Sequence, residues 1–388
     1  MEVLTLVGEL QAGFGVAEPE TCLMTHVSPL HPIDFTIRKD HAEKTAPGAQ
    51  GLADLIRTLS AAERQVTRAL MYQAERTMRH QRHPALAGAF LHVPVDRLSE
   101  PFLRSQYSAS KPLGCSFSAL MWQQTHFRSH LATLGHGPTE MLLDDKIRAY
   151  TFADRLGLRR AEVYQERVSP DALCLRPGSV IKPENAAGAR GVYIVHDATR
   201  QRRVADGHEF TSYDALRADL EAMVATARPG TRETATWMAE ELVCNAEGMP
   251  ANDLKFYSFY GDIPLALEVR RLGEVRYCWW DRSGARIQTG KYDDELFEGA
   301  PFDVALFEQV EALSRKIPAP FLRIDFLRAA DGLCFSEFTP RPGAFHSFGC
   351  VWDRRLGHAF VKAQARLFHD IAQGKRFEDF EALVRGVT

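Results

Sequence analysis

No stretch of this 388-residue chain approaches the roughly 20 uninterrupted apolar residues that a membrane-spanning helix needs. Its seven cysteines (Cys22, Cys115, Cys174, Cys244, Cys278, Cys334 and Cys350) are odd in number, scattered and never at CxxC spacing. A disulfide framework and a zinc knuckle are therefore both unsupported, and the cytosol is the expected compartment. Basic residues show no excess: 47 Lys+Arg stand against 50 Asp+Glu, a net charge of −3. Nothing in that balance announces nucleic acid or an anionic membrane, so the expected partner is a small molecule. Neither GxxxxGK[ST] nor GxGxxG occurs, which excludes a P-loop and a dinucleotide fingerprint. No repeat with a period of 20–50 residues and no low-complexity tract is found, which excludes a solenoid.

What is present is material for packed interiors. The chain is 45% apolar and 10% aromatic with 25% charged residues, which excludes disorder as the main state. Its length exceeds the ~250–300 residues one core serves, so two or three units are expected. The opening run MEVLTLVGELQAGFG has no basic stretch and reads as a strand rather than a signal peptide. Residues 51–78 keep apolar side chains three and four apart, as one or two helices would. The histidines nearby are dispersed, His80, His83 and His92 being the nearest set, and read as solvated.

From about residue 141 the texture becomes alternating short strands and helices, an α+β pattern. Asp144 or Asp145 can cap a helix through DKIRAYTFADRLG that Gly157 ends. SVIKP (179–183) and VYIV (192–195) read as strands and 213–227 as an amphipathic helix. WMAEELV (237–243), DLKFYSFYG (253–261), PLALEVRR (264–271) and RYCWW (276–280) read as strands of one antiparallel sheet. Helices are expected over 307–317 and 355–372. The aromatic residues Trp279, Trp280, Phe256, Tyr257 and Phe259, at strand spacing, read as packing residues rather than a stacking platform.

Two local features suggest chemistry. FLRIDFL (321–327) and LCFSEFT (333–339) form a hairpin, and a three-residue loop Ala330-Asp331-Gly332 pairs Asp325 with Glu337 and Arg323 with Thr339. Facing carboxylates repel by up to about 1 kcal/mol even when exposed. Arg323 offsets part of this, and a hard divalent cation would offset more; an ordinary surface network is the other reading. The second feature is Lys182 at the end of a buried strand, followed by a loop with Gly188, Arg190 and Gly191. It can close over phosphates, or it is a plain hairpin.

The order of segments is more informative: Asp145-Lys146 opening a helix, IKP, a glycine loop, EEL, DLKFY, RIDF and EFTPRPG. This succession resembles the ATP-grasp superfamily, and within it the teichuronopeptide-biosynthesis (TupA-like) proteins, over roughly residues 141–350. The resemblance implies two α+β units clamping ATP, 141–240 as the lid subdomain and 241–388 as the large subdomain with the metal. Residues 1–140 form a further, mainly helical region of unknown role. Lys146 and Lys182 would hold the α- and β-phosphates beneath a lid loop over 184–191. The backbone from Glu241 through Leu242 to Val243 would receive adenine, and Glu240 its amino group. Asp253, before Glu247, would take the ribose. Asp325, Glu337 and Thr339 would hold Mg²⁺, with Mn²⁺ able to replace it. Many members have asparagine where Thr339 stands, which leaves the second metal position open. Arg323 and Lys255 would stabilise the transferring phosphoryl group, and Arg341 or Arg270 the acceptor carboxylate.

The activity implied is ATP-dependent ligation of a small carboxylate and an amine through an acyl phosphate, releasing ADP and phosphate, in polymer decoration or specialised metabolism. The alternatives are an ATP-grasp kinase, which needs no amine, and a non-catalytic nucleotide-binding module, which predicts losses from the metal set. On the ligase reading, Asp325→Asn and Glu337→Gln abolish turnover and leave the fold intact.

Overall fold

The computed structural model describes residues 49–81, 89–90, 92–99, 102, 115–135, 140–184, 189, 191–226 and 236–386. The strand expected at the N-terminus lies outside them, as does His83. The chain divides into two compact units, Met1–Val66 and Thr67–Thr388. The segment expected as one or two helices is a single helix, α1 (Ala49–Gln81). In the first unit its Leu52, Leu55, Ile56 and Leu59 are exposed. In the second, its later turns place Met71, Ala74 and Met78 against Phe90, Leu98 and Phe102. Among the described residues no helix is long and apolar enough to cross a membrane.

The remainder of the second unit is built on two six-stranded sheets, and every strand pairing within them is antiparallel. The first contains β1 (Val163–Val168), β2 (Ser179–Pro183), β3 (Tyr193–Val195), β4 (Gln201–Arg203), β5 (Glu209–Phe210) and β6 (Trp237–Glu241). Their order is β1-β6-β2-β3-β4-β5. Ile181, Tyr193, Val195, Trp237 and Ala239 form its apolar face, covered by Leu216 and Leu220 of the helix Tyr213–Thr226. Trp237–Glu241 thus belongs here, and not with the three strands that follow it in sequence. It lies between β1 and β2, pairing Ala239 with Ile181 and Trp237 with Pro183. Its short apolar run carries no mark of which sheet it joins.

The second sheet contains β7 (Asp253–Ser258), β8 (Leu265–Arg270), β9 (Arg276–Asp281), β10 (Arg286–Ile287), β11 (Leu322–Ala329) and β12 (Gly332–Thr339), in the order β10-β9-β8-β7-β11-β12. Helices Phe117–Thr133 (α2), Ala305–Ser314 and Cys350–Ala372 (α6) contribute Phe117, Phe307 and Phe360 to the core that also holds Phe256, Phe259 and Ile324. Alternation on β11 follows the side-chain period of two. Leu322, Ile324 and Phe326 enter that core, while Arg323, Asp325 and Leu327 occupy the opposite face. The aromatic strand residues are core: Phe256, Tyr257, Phe259 and Trp279 are fully buried and Trp280 nearly so.

The hairpin pairs Arg323 with Thr339, Ile324 with Phe338 and Asp325 with Glu337, the expected register, but by a different route. Ala329 pairs with Gly332, so the turn has two residues, Ala330 and Asp331, instead of three. A bulge between Asp325 and Phe326 then opposes them with Phe335, Ser336 and Glu337 and restores the register. Such a bulge turns two successive residues toward one side. Ser336 and Glu337 accordingly face the same cleft.

Candidate active site

A cleft of about 890 Å³ is walled by both sheets, by the first turn of α3 (Lys146–Arg155) and by the loops after β6 and β12. Lys146 enters because the side chain of Asp145 caps α3, accepting from the Arg148 amide at 2.9 Å. Lys182 reaches in from β2 and pairs with Glu240 of β6, whose other oxygen accepts from Tyr150 at 2.8 Å. Burial opposes ionisation of Glu240, but Lys182 and Lys146 outweigh it and hold the carboxyl below its ordinary value. Burial and the charge of Lys182 push the Lys146 amine down to about 8.

Deeper in the second sheet, Asp325 is 1% exposed and held by two cations. Arg323 grips it side-on, Nε to Oδ1 at 2.7 Å and Nη2 to Oδ2 at 2.6 Å, while Lys255 Nζ donates to Oδ2 at 2.7 Å. Desolvation would raise this carboxyl, yet Arg323 and Lys255 together hold it at about 2. Asp253 is likewise committed, accepting from Arg271 Nε at 2.7 Å. At the end of β6, the Glu241 amide donates to the Glu162 carbonyl and the Leu242 amide to that of Gly178, whereas the Val243 amide has no partner among the described residues.

Of the residues singled out from sequence, Lys146, Lys182, Glu240, Glu241, Leu242, Val243, Asp253, Lys255, Arg323, Glu337, Thr339 and Arg341 all line this cleft. Asp325 sits beneath its surface. Glu247 and Arg270 are not in the lining; Arg270 is exposed with its guanidinium 5.0 Å from the Phe297 ring, and its neighbour Arg271 faces the cleft instead. Gly188 and Arg190 lie outside the described residues. Gly191 adopts φ 70°, and a Cβ there would come within 3.1 Å of the Pro183 ring. His346 lies away from this cleft, in a second cavity. Cys278 and Cys334 are buried, and burial raises both thiols. Cys244 is only half-buried and forms an isolated bridge with Pro250.

Sequence reasoning missed Lys291. It is 2% exposed, donates from Nζ to the Gly343 carbonyl at 3.1 Å, and lies 5.1 Å from each of the Tyr292 and Phe348 rings. Burial and the charge of Arg323 push its amine down to about 7. A lone lysine in the loop QTGKYDDE has no local signature. It is delivered by Gly290, at φ 82°, where a Cβ would lie 2.5 Å from the Gly349 amide nitrogen. The one available signal was that glycine.

The donors suit a hard divalent cation. Glu337 and Thr339 present oxygens to the cleft from one strand, and Asp325 lies directly opposite Glu337. Asp325 would act as a ligand while still bound to Arg323 and Lys255. Among the described residues no group of three His, Cys, Asp or Glu side chains is close enough to hold a metal alone, so phosphate oxygens and water would complete the shell.

Two antiparallel sheets flanking a cleft rich in lysine and arginine, with a paired carboxylate hairpin at one wall, are the arrangement of an ATP-grasp protein. The profile of the family described as TupA-like ATPgrasp matches residues 126–361. The chain belongs to the TupA-like ATP-grasp family. Among solved structures it is similar to the D-alanine–D-alanine ligase of Bacillus anthracis, at 14% identity and a TM-score of 0.39 over 63% of this chain and 76% of that one. A RimK-domain ATP-grasp protein of Sphaerobacter thermophilus is similar at 11% identity and TM-score 0.37, covering 62% and 76% of the two chains. The macrocyclase MdnC of Microcystis aeruginosa, bound to its precursor peptide, is similar at 13% and 0.35, covering 63% and 70%. No curated protein matches the sequence.

Proposed function

We propose that the protein is an ATP-dependent carboxylate–amine ligase that works through an acyl phosphate and releases ADP and phosphate. The observation that carries this reading is the gathering of Lys146, Lys182, Lys255, Lys291 and Arg323 around one cleft with the oxygen donors Glu337 and Thr339. Residues 141–240 serve as the lid subdomain and 241–388 as the large one. ATP lies between them, its adenine against Glu241–Val243, where the unpaired Val243 amide supports the assignment, and its ribose near Asp253. Lys146 and Lys182 hold the α- and β-phosphates. Bound Mg²⁺, held by Glu337, Thr339 and Asp325, supplies charge neutralisation at the phosphates.

The substrate carboxylate, positioned by Arg341, attacks the γ-phosphorus; Arg323, fixed by Asp325, and Lys255 spread the negative charge that builds on the transferring group. Arg271 replaces Arg270 as the second candidate for that carboxylate. The amine then attacks the acyl carbon and phosphate leaves, while exclusion of water protects the intermediate. ADP release measured across a panel of small acids and amines tests the reading. A ligase needs both partners for sustained turnover, whereas a kinase-like enzyme turns over with one and no amine.

A further inference from the structure

Four cations of the cleft have an acid beside them: Lys182 has Glu240, Lys255 and Arg323 have Asp325, and Arg271 has Asp253. Lys291 has no carboxylate partner among the described residues, and its Nζ donates to the uncharged Gly343 carbonyl at 3.1 Å. The residue runs from core to cleft. Its backbone carbonyl accepts from Nε1 of the fully buried Trp279 at 2.8 Å, while Nζ ends at Gly343, an exposed residue of the cleft wall. The loop is pinned on the core side, where the Gly349 amide donates to the Thr289 carbonyl at 2.8 Å. Two rings stand beside the amine, Tyr292 and Phe348, each 5.1 Å from Nζ, and Tyr292 also lines the cleft.

The charged groups around Nζ disfavour a proton there. Arg323 on β11 faces it, and Arg341 stands in the cleft wall two residues before Gly343. The neighbouring acids are committed elsewhere. Asp293 accepts from the amides of Thr289 and Gly290 at 3.2 and 2.9 Å, and Glu337 lies 3.7 Å from Arg323. Across the Phe348 ring, burial pushes the Tyr257 phenol up. Burial and the charge of Arg323 leave the Lys291 amine at about 7, so much of it is a free base at neutral pH. A neutral amine donating one N–H to a carbonyl keeps its lone pair for a proton.

We propose that Lys291 is the general base of the amide-forming step, taking the proton that the substrate amine sheds as it joins the acyl carbon. The inference rests on the ligase reading, which sets Arg341 on the substrate carboxylate and so places Gly343 and the Lys291 amine at the acyl end of the cleft. The nitrogen lone pair forms the C–N bond, and the C–O bond breaks with its electrons leaving on phosphate. One N–H proton passes to Nζ and from there to the departing phosphate, which leaves as hydrogen phosphate.

The test compares two nucleophiles, each with ATP and the acid that supports ADP release. Glycinamide needs a base to form an amide, whereas hydroxylamine traps an acyl phosphate without one. Lys291→Met and Lys291→Arg are each expected to slow glycinamide ligation about a hundredfold at about pH 7, and hydroxamate formation by less than about tenfold. Arginine keeps a cation in place but cannot act as a base, so it would restore a phosphate contact and not proton transfer. In the wild type, ligation per free glycinamide should rise as pH passes upward through about 7, while hydroxamate formation per free hydroxylamine should not. That comparison needs no variant and holds should both substitutions fail to fold. Loss of the two reactions by one common factor, recovery of ligation in Lys291→Arg, or coincident wild-type pH profiles would overturn the proposal. A wild-type enzyme forming no hydroxamate with any acid of the panel would overturn the ligase reading, and this inference with it.

Discussion

Lys255 and Asp325 face each other across β7 and β11, and the lysine ammonium donates to the buried carboxylate at 2.7 Å. With Arg323 on the same carboxylate, Asp325 is the nearest partner of two cations, whose other carboxylates are farther off, Asp253 at 3.8 Å from Lys255 and Glu337 at 3.7 Å from Arg323. Asp325→Asn therefore does more than remove a metal ligand. It takes from two cations their nearest partner, and breaking a buried pair costs up to about 3–5 kcal/mol. Glu337 is 38% exposed and only 3.7 Å from Arg323 at its nearest, so Glu337→Gln is expected to leave stability nearly unchanged. Both variants are expected to lose turnover; urea unfolding separates them. Equal stability of the two would contradict the role given to Asp325 and restore the simpler expectation that neither change touches the fold.

Acid stability follows from the same group. The folded carboxyl sits at about 2 against an ordinary 3.8, so its stabilising contribution is complete above the ordinary value and vanishes as pH falls through the folded one. The wild-type protein should lose about 2 kcal/mol from this source between pH 4 and 2. Asp325→Asn should lack that increment, a difference readable in unfolding free energies at the two ends of the window.

Nucleotide binding should carry a proton signature. The Lys146 amine, at about 8 without nucleotide, sheds its proton as pH rises through that value. Phosphate oxygens beside it favour the ammonium, so binding an ATP analogue near pH 8–9 should take up a proton and weaken as pH rises further. Titrations in buffers of different ionisation enthalpy report the uptake, which Lys146→Met should reduce. Binding indifferent to pH between 7 and 10 would argue against phosphate contact by Lys146.

Lys182→Ala is expected to weaken the ATP analogue by about 2–3 kcal/mol through loss of a charge-assisted contact. It also takes from Glu240, which is 6% exposed, its ion-pair partner and leaves it only Tyr150 and the charge of Lys146, so the protein should be less stable. Lys182→Ala combined with Glu240→Gln should recover stability without recovering affinity. Recovery of both would reduce Lys182 to a structural partner of Glu240.

The legible parts of this molecule were those in which one pattern had one physical solution. Alternating faces on β11 and β12 made the Asp325–Glu337 pairing readable, because any one-residue slip mixes core and cleft. The turn and the Ser336 bulge were not readable, since two errors of one residue cancel in the register. Trp237–Glu241 could not be assigned to its sheet because a buried strand shows no preference among antiparallel neighbours. Arg270 and Arg271 are adjacent, and only the pleat decides which faces the cleft. Lys291 was invisible for a different reason: it reaches the site through the contact of Gly290 with Gly349, 59 positions away in a chain whose sequence marks neither as a pair.

The central claim is that ATP is opened between its β- and γ-phosphates by a substrate carboxylate. Whichever acid in the panel supports ADP release should be prepared with oxygen-18 in its carboxylate and turned over with its amine. The account predicts one labelled oxygen in the released inorganic phosphate, and trapping of the intermediate as a hydroxamate when hydroxylamine replaces the amine. Release of AMP carrying the label, or phosphate without it, would contradict the acyl-phosphate mechanism and the roles of Lys146, Lys182 and Arg323 with it.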